Sequence, residues 1–251
     1  MNVSLYQAAA ALNTTSKWQE VIAENMAASP LSGHKKQEVA FSSVFGGVFR
    51  PNAPTTITTP TIVPLPKAET VTNFAQGELK PTGVKTDLAI DGPGFFEIQL
   101  PNGSLAYTRS GDFKIDSKGM LVTKEGYLVM GEGGPIQINL TDPTPISVSE
   151  TGEISQGANI IGKLNIVSFN NPSLLVHATD GYYLALNPAL QQIQPNQSLV
   201  KQGFLETSNT SPVIEMTNLI TAFRAFEANQ KVITINDERM GKTIQELTSN
   251  T

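Results

Sequence analysis

The sequence predicts an α+β chain: N- and C-terminal helices pairing as a coiled coil, an extended arm, and a central antiparallel β-domain. Three observations predict it. Apolar residues recur in alternating steps of three and four at both ends. Five prolines and five threonines crowd the stretch from Pro51 to Pro66. Between about Leu88 and Leu205 the apolar period falls to two, with glycine-bearing turns between the runs. The first pattern belongs to a helix that buries a narrow stripe on a facing helix, the second disfavours helix, and the third marks half-buried strands.

The N-terminal helix (1–30) rests on the absence of Gly and Pro from Ser4 to Ser29, with Pro30 and Gly33 as stop signals. Positions 5, 8, 12, 15, 19, 22 and 26 carry Leu, Ala, Leu, Thr, Gln, Ile and Met. The seam is therefore Leu5, Leu12, Ile22 and Met26, narrow and interrupted by two polar residues. From 31 to 85 the Pro/Thr-rich composition reads as an extended arm or, alternatively, a disordered loop. The β-rich domain (86–205) shows Phe96, Ile98 and Leu100 alternating with Glu97 and Gln99, Ile136, Ile138 and Leu140 alternating with Gln137 and Asn139, and Tyr182, Leu184 and Leu186. Turns at Asn102-Gly103, Glu125-Gly126 and Asp180-Gly181 separate such runs.

The C-terminal helix (206–251) has the stronger seam: Met216, Leu219, Phe223, Phe226, Ile233, Met240, Ile244 and Leu247, with Gln230 and Asp237 at the two remaining steps. Ser211 and Pro212 mark its start. From Val213 to Leu247 it would be roughly 50 Å long at 1.5 Å per residue. A helix with one apolar stripe gains little by folding alone, so something must cover each stripe. The terminal helices can cover each other. Ile220, Val232 and Ile235 widen the C-terminal seam beyond what one helix covers, and further copies or partners could cover the excess.

Composition and chemistry exclude several classes. Seventeen basic against 22 acidic residues give a net charge of −5, which disfavours a nucleic-acid partner. Cysteine is absent, so disulfides and thiolate metal sites are excluded. No apolar run approaches the roughly 18 residues of a membrane span, and the N-terminus lacks the basic and apolar regions of a cleaved secretory signal. His34 and His177 are the only two histidines, too few for a three-histidine zinc site, and nothing places a carboxylate beside a Ser173–His177 pair. Gly241-Lys242-Thr243 imitates the end of a phosphate loop but lacks its first glycine, where Asn236 stands. Asp87, Asp91, Glu97, Asp112 and Asp116 could supply a carboxylate pair, yet each adjoins a turn where Asp is ordinarily structural. No enzyme, cofactor or metal is expected.

Longer motifs carry a resemblance. Ser4-Leu5-Tyr6, Asn25-Met26-Ala27 with Gly33-His34-Lys35, and Thr86-Asp87-Leu88-Ala89-Ile90-Asp91-Gly92-Pro93-Gly94-Phe95-Phe96 resemble the flagellar rod and hook proteins. So do Tyr107-Thr108-Arg109-Ser110-Gly111-Asp112-Phe113, Phe204-Leu205-Glu206-Thr207-Ser208-Asn209, and Val213 through Ile220 with Arg224-Ala225-Phe226-Glu227. Within the family, Gly131 to Ile136 and Lys231-Val232-Ile233 with Asp237-Glu238 resemble the proximal rod member more than the distal one. Ala28, Leu31 and His34 depart from the family's first loop.

The resemblance implies an inner axial layer of terminal helices and export in an unfolded state through the flagellar type III export apparatus. It also implies assembly in the periplasm, with other rod subunits and copies of itself, into the shaft between motor and hook. A distal rod or hook subunit, or a coiled-coil surface binding module, is the alternative.

Overall fold

The computed structural model describes residues 3–49, 61–178, 181–194 and 198–249. The chain divides into two compact units, one of Met1–Ala27, Gln37–Val71 and Pro212–Thr251, the other of Ala28–Lys36 and Thr72–Ser211. The class is α+β, with a helix at each end and antiparallel strands between.

In the first unit, helix α1 covers Val3–Ala28 and helix α2 Pro212–Ser249. Pro212 begins α2, where a missing N–H costs nothing. The two polar residues of the α1 seam are accommodated differently. Thr15 is buried with its hydroxyl donating back to the carbonyls of Ala11 and Leu12, both at 2.9 Å, so burial leaves it satisfied. Gln19 is half-buried. Strands β1 (Gln37–Phe49) and β2 (Thr61–Thr72) pair as a two-stranded sheet. The expected arm thus has a paired ribbon on either side of residues 50–60; most of the proline-threonine run lies in 50–60, outside the described residues.

The second unit is built on an antiparallel sheet of ten strands among the described residues. Its central strand, Phe95–Gln99, pairs on one side with Leu105–Thr108 and on the other with Leu128–Gly131 and Ile166–Phe169. Smaller sheets join Ile146–Val148, Glu153–Gln156 and Asn159–Lys163, Leu88–Asp91 with Leu199–Gln202, and Leu79–Pro81 with Phe204–Glu206. The principal core gathers Leu88, Ile90, Phe96, Phe113, Val129 and Ile154. A second, aromatic core holds Phe95, Tyr107, Phe169 and Tyr183.

Three of the expected half-buried runs differ from expectation. Phe95, Phe96, Glu97 and Ile98 are all buried, because Phe96 faces the principal core while Phe95 faces the aromatic one. Glu97 is accommodated by a hydrogen bond from Asn165 Nδ2 at 3.1 Å. Ile136 and Ile138 are buried and Leu140 is exposed, so the alternation begins as expected. Their backbone is held by the Ile136 N–H donating to Val129 and by one isolated bridge, in which Ile138 donates to Gly119 and Ile136 accepts from Leu121, rather than by an extended ladder. In Tyr182–Leu184 both tyrosines are buried, in different clusters, and Leu186 lies beyond the strand, exposed.

Candidate assembly surface and the cluster beside it

The α1 seam is largely covered within the single chain. Ile22 is buried and Leu5, Leu12 and Met26 are half-buried, with Ala8 and Val21 buried beside them. Asn25 and Trp18 tie α1 to the ribbon. The Asn25 carboxamide, itself buried, donates from Nδ2 to the Gln37 carbonyl at 2.7 Å and accepts the Gln37 N–H on Oδ1 at 2.9 Å, a substitute for one rung of a β-ladder. Trp18 meets Phe41 edge to face, centroids 5.7 Å apart. In the sequence the sign of this joint is an Asn inside a helix, where it is a poor helix former; nothing local names Gln37 as its partner.

On α2 the covered stripe is displaced from the expected seam. Glu215 and Ala222 are buried, and Leu219, Phe226, Asn229, Ile233 and Asn236 half-buried, again at steps of three and four. Leu219, Phe226 and Ile233 belong to both stripes. Met216 and Phe223, expected in the buried seam, are 53% and 51% exposed, and Met240 is exposed as well. The side chains of Ile244 and Leu247 lie outside the described residues. Next to Met216 and Phe223 stand Val213 and Ile220, 74% and 56% exposed. Positions 213, 216, 220 and 223 follow steps of three and four, so they form a second row along one side of the helix. The apolar face of α2 is wider than the part the single chain covers.

In the second unit, buried charges meet at Glu206. Its Oε1 accepts Lys35 Nζ at 2.5 Å and the Gly77 N–H at 2.8 Å, and its Oε2 accepts Arg109 Nη1 at 3.3 Å. All three side chains are buried. Lys35 Nζ also donates to the Ala75 carbonyl at 2.7 Å, Arg109 Nη2 donates to the Gly92 carbonyl at 2.7 Å, and the guanidinium lies 5.4 Å from the centroid of the Phe95 ring. Burial pushes Lys35 and Arg109 below their ordinary values, while the Glu206 carboxylate opposes the shift in both. Removing the carboxylate would strand two cations, a loss of about 3–5 kcal/mol.

Gly33 makes the approach possible: its φ is +67° and a Cβ there would lie 2.3 Å from the Arg109 carbonyl carbon, while its N–H donates to the Glu206 carbonyl at 2.7 Å.

The two histidines come together at this cluster, His34 edge-on to His177 with centroids 6.4 Å apart, and His177 against Tyr183 at 5.6 Å. Burial first, then His177 and Lys35, lower the His34 imidazole to about 4. Burial pushes the Tyr183 phenol up. The carboxylates considered for acid–base work are engaged in turns and pairs. Asp87 accepts the Thr82 hydroxyl at 2.6 Å, Asp112 accepts that of Ser110 at 2.6 Å and pairs with Lys124, and Asp91 pairs with Lys201 at 2.6 Å. Asp116 accepts the N–H groups of Lys118 and Met120, both at 2.8 Å. Gly241-Lys242-Thr243 lies within α2. Among the described residues no helix is long and apolar enough to cross a membrane, and no three His, Cys, Asp or Glu residues gather as a metal site.

Comparison with known proteins places this architecture. The family described as "Flagellar hook protein FlgE/F/G D1 domain" matches residues 89–156, and "Flagellar basal body rod FlgEFG protein C-terminal" matches residues 201–246. The chain is 32% identical over 242 residues to the flagellar basal-body rod protein FlgG of Buchnera aphidicola subsp. Schizaphis graminum, covering 90% of this chain and 92% of that one. It is 32% identical over 262 residues to FlgG of Borreliella burgdorferi, covering 95% and 96%. To the rod protein FlgF of Caulobacter vibrioides it is 39% identical over 178 residues, covering 70% and 71%. With relatives above 30% identity aligned over nine-tenths of its length, the chain belongs to the flagellar basal-body rod protein family.

Proposed function

We propose that the chain is a structural subunit of the proximal rod, polymerising through its terminal helices to transmit torque from motor to hook, with no catalytic step. One observation carries the assembly mode: the row Val213, Met216, Ile220 and Phe223 stands exposed on α2 of the single chain. Exposed contiguous apolar side chains of this kind mark a surface that another molecule covers. The neighbours are other rod subunits and copies of the same chain. Pairing of α1 with α2 belongs to the same proposal. So does passage through the flagellar type III export apparatus to the periplasm.

The proximal assignment is supported by 39% identity to FlgF of Caulobacter vibrioides against 32% to FlgG of the same organism. A distal rod reading is favoured by coverage, since the FlgG match spans 90% of this chain and the FlgF match 70%. Imaging intact basal bodies with the chain labelled separates the two: density at the motor end supports the proximal position, density at the hook end the distal one.

The assembly mode is tested by Phe223→Asp. Each contact would lose about 1.5–3 kcal/mol of apolar burial and gain a charge that needs water. Because Phe223 is half exposed in the single chain, the subunit should still fold and be exported while motility is abolished. Normal swimming with this substitution rules the reading out.

A further inference from the structure

The strand that ends before α2 supplies partners to the segment that follows α1. The Glu206 carbonyl accepts the Gly33 N–H, and the Glu206 carboxylate accepts Lys35, Arg109 and the Gly77 N–H. The Thr207 N–H donates to the Glu78 carbonyl at 2.8 Å. Asn209 Oδ1 accepts the Lys36 N–H at 2.7 Å, while its Nδ2 donates to the carbonyls of Asn73 and Ala75 at 2.9 and 3.0 Å. Without residues 204–209, Lys35 and Arg109 would be buried with no carboxylate between them, and the N–H groups of Gly33, Lys36 and Gly77 would lose these acceptors. Buried charges without a counter-ion and buried donors without an acceptor are both strongly unfavourable. Lys35 and Glu206 stand 171 residues apart in sequence.

We propose that Glu206 is a closure latch: the β-rich unit seals around Lys35 and Arg109 only once the segment leading into α2 has reached them, so a chain still lacking that segment stays open. Whichever end of the chain travels first, the unit is unable to close before residues on both sides of it are present. The use of such a latch rests on the reading of the chain as an exported rod subunit, since a unit that sealed early would be too wide for an export channel. The latch itself does not depend on that reading. A carboxylate that merely reinforced an already closed unit would leave a different kinetic trace.

The test is refolding and unfolding of the full chain in urea, in a Trp18→Phe background, so that fluorescence comes from the five tyrosines, of which Tyr107, Tyr127, Tyr182 and Tyr183 lie in this unit. Glu206→Gln is expected to slow refolding by about tenfold or more while changing the unfolding rate by less than about threefold, the signature of an interaction formed by the transition state. A loss that falls mainly on the unfolding rate overturns the latch. If Glu206→Gln does not fold, the double variant Lys35→Met/Glu206→Gln, which removes one of the stranded cations, is expected to refold. Failure of the double variant alongside normal refolding of Lys35→Met alone overturns it equally. These rates are read on purified chain, so they stand apart from the swimming assay that decides the rod reading.

Discussion

At the scale of single residues, the cluster around Glu206 imposes a pH dependence. Facing His34 are His177 and Lys35. Its 5% exposure denies a proton on His34 the water it would need, and the second imidazole and the Lys35 cation add to the cost. The folded value is about 4 against 6.5 for the ordinary imidazole, so the unfolded chain takes up the proton first. Stability from this group is therefore complete above pH 6.5 and lost progressively as pH falls towards 4, to the order of 3 kcal/mol. In His34→Gln the fall in urea midpoint between pH 6.5 and 4 should be distinctly shallower than in the parent, and identical slopes would contradict this.

The cluster was only partly legible from sequence. Gly33-His34-Lys35 and Phe204 to Asn209 stood out as motifs, but neither spacing nor composition pairs two residues 171 apart. Their meeting is a product of the sheet that brings Leu79–Pro81 beside Phe204–Glu206.

At the scale of elements, α2 shows what a period does and does not specify. Steps of three and four identify a helix and an apolar side, and Leu219, Phe226 and Ile233 are indeed partly covered. The width of the stripe is another matter. Apolar residues at 213, 216, 219, 220, 222, 223 and 226 spread over well over a third of the helix circumference at about 100° per residue. Any of several adjacent stripes could be the covered one, and the buried Ala222 and Glu215 lie one residue before the expected Phe223 and Met216. Val232, Ile235 and Met240 are exposed further along. Helices with so much uncovered apolar surface open readily. Amide exchange in the isolated subunit should therefore be much faster from about 230 onwards in α2 than in Phe95–Gln99, whose side chains from Phe95 to Ile98 are buried. Equal protection would indicate that α2 is already fully covered in one chain.

At the scale of the whole molecule, the two units have unequal internal support. One has the large principal core and an aromatic core. The other holds two long helices, of which α2 carries an exposed apolar row, and a two-stranded ribbon, an element of marginal stability by itself. Trp18, the single tryptophan, lies on α1 in the latter. Urea unfolding followed by tryptophan fluorescence should thus precede unfolding followed by tyrosine near-ultraviolet circular dichroism, giving two separate midpoints. Coincident transitions would show instead that the units unfold as one. Polymerisation through α2 would raise the tryptophan midpoint with protein concentration, because whatever binds only the folded form stabilises it.

The sequence by itself determined the two terminal helices, the stop of the first and the start of the second, the β-rich middle and the family, because each is written in local signals. Proline at a helix start, glycine after a helix stop, a period of 3.5 or of two, and long contiguous motifs all act over a few residues. Tertiary structure alone decided which row of α2 is covered, that the strand Phe95–Gln99 is buried on both sides, and that Asn25, Lys35, Arg109 and Glu206 are joints. Burial and charge pairing depend on which distant segments come to lie beside one another, and backbone preferences within one turn or strand carry no record of that.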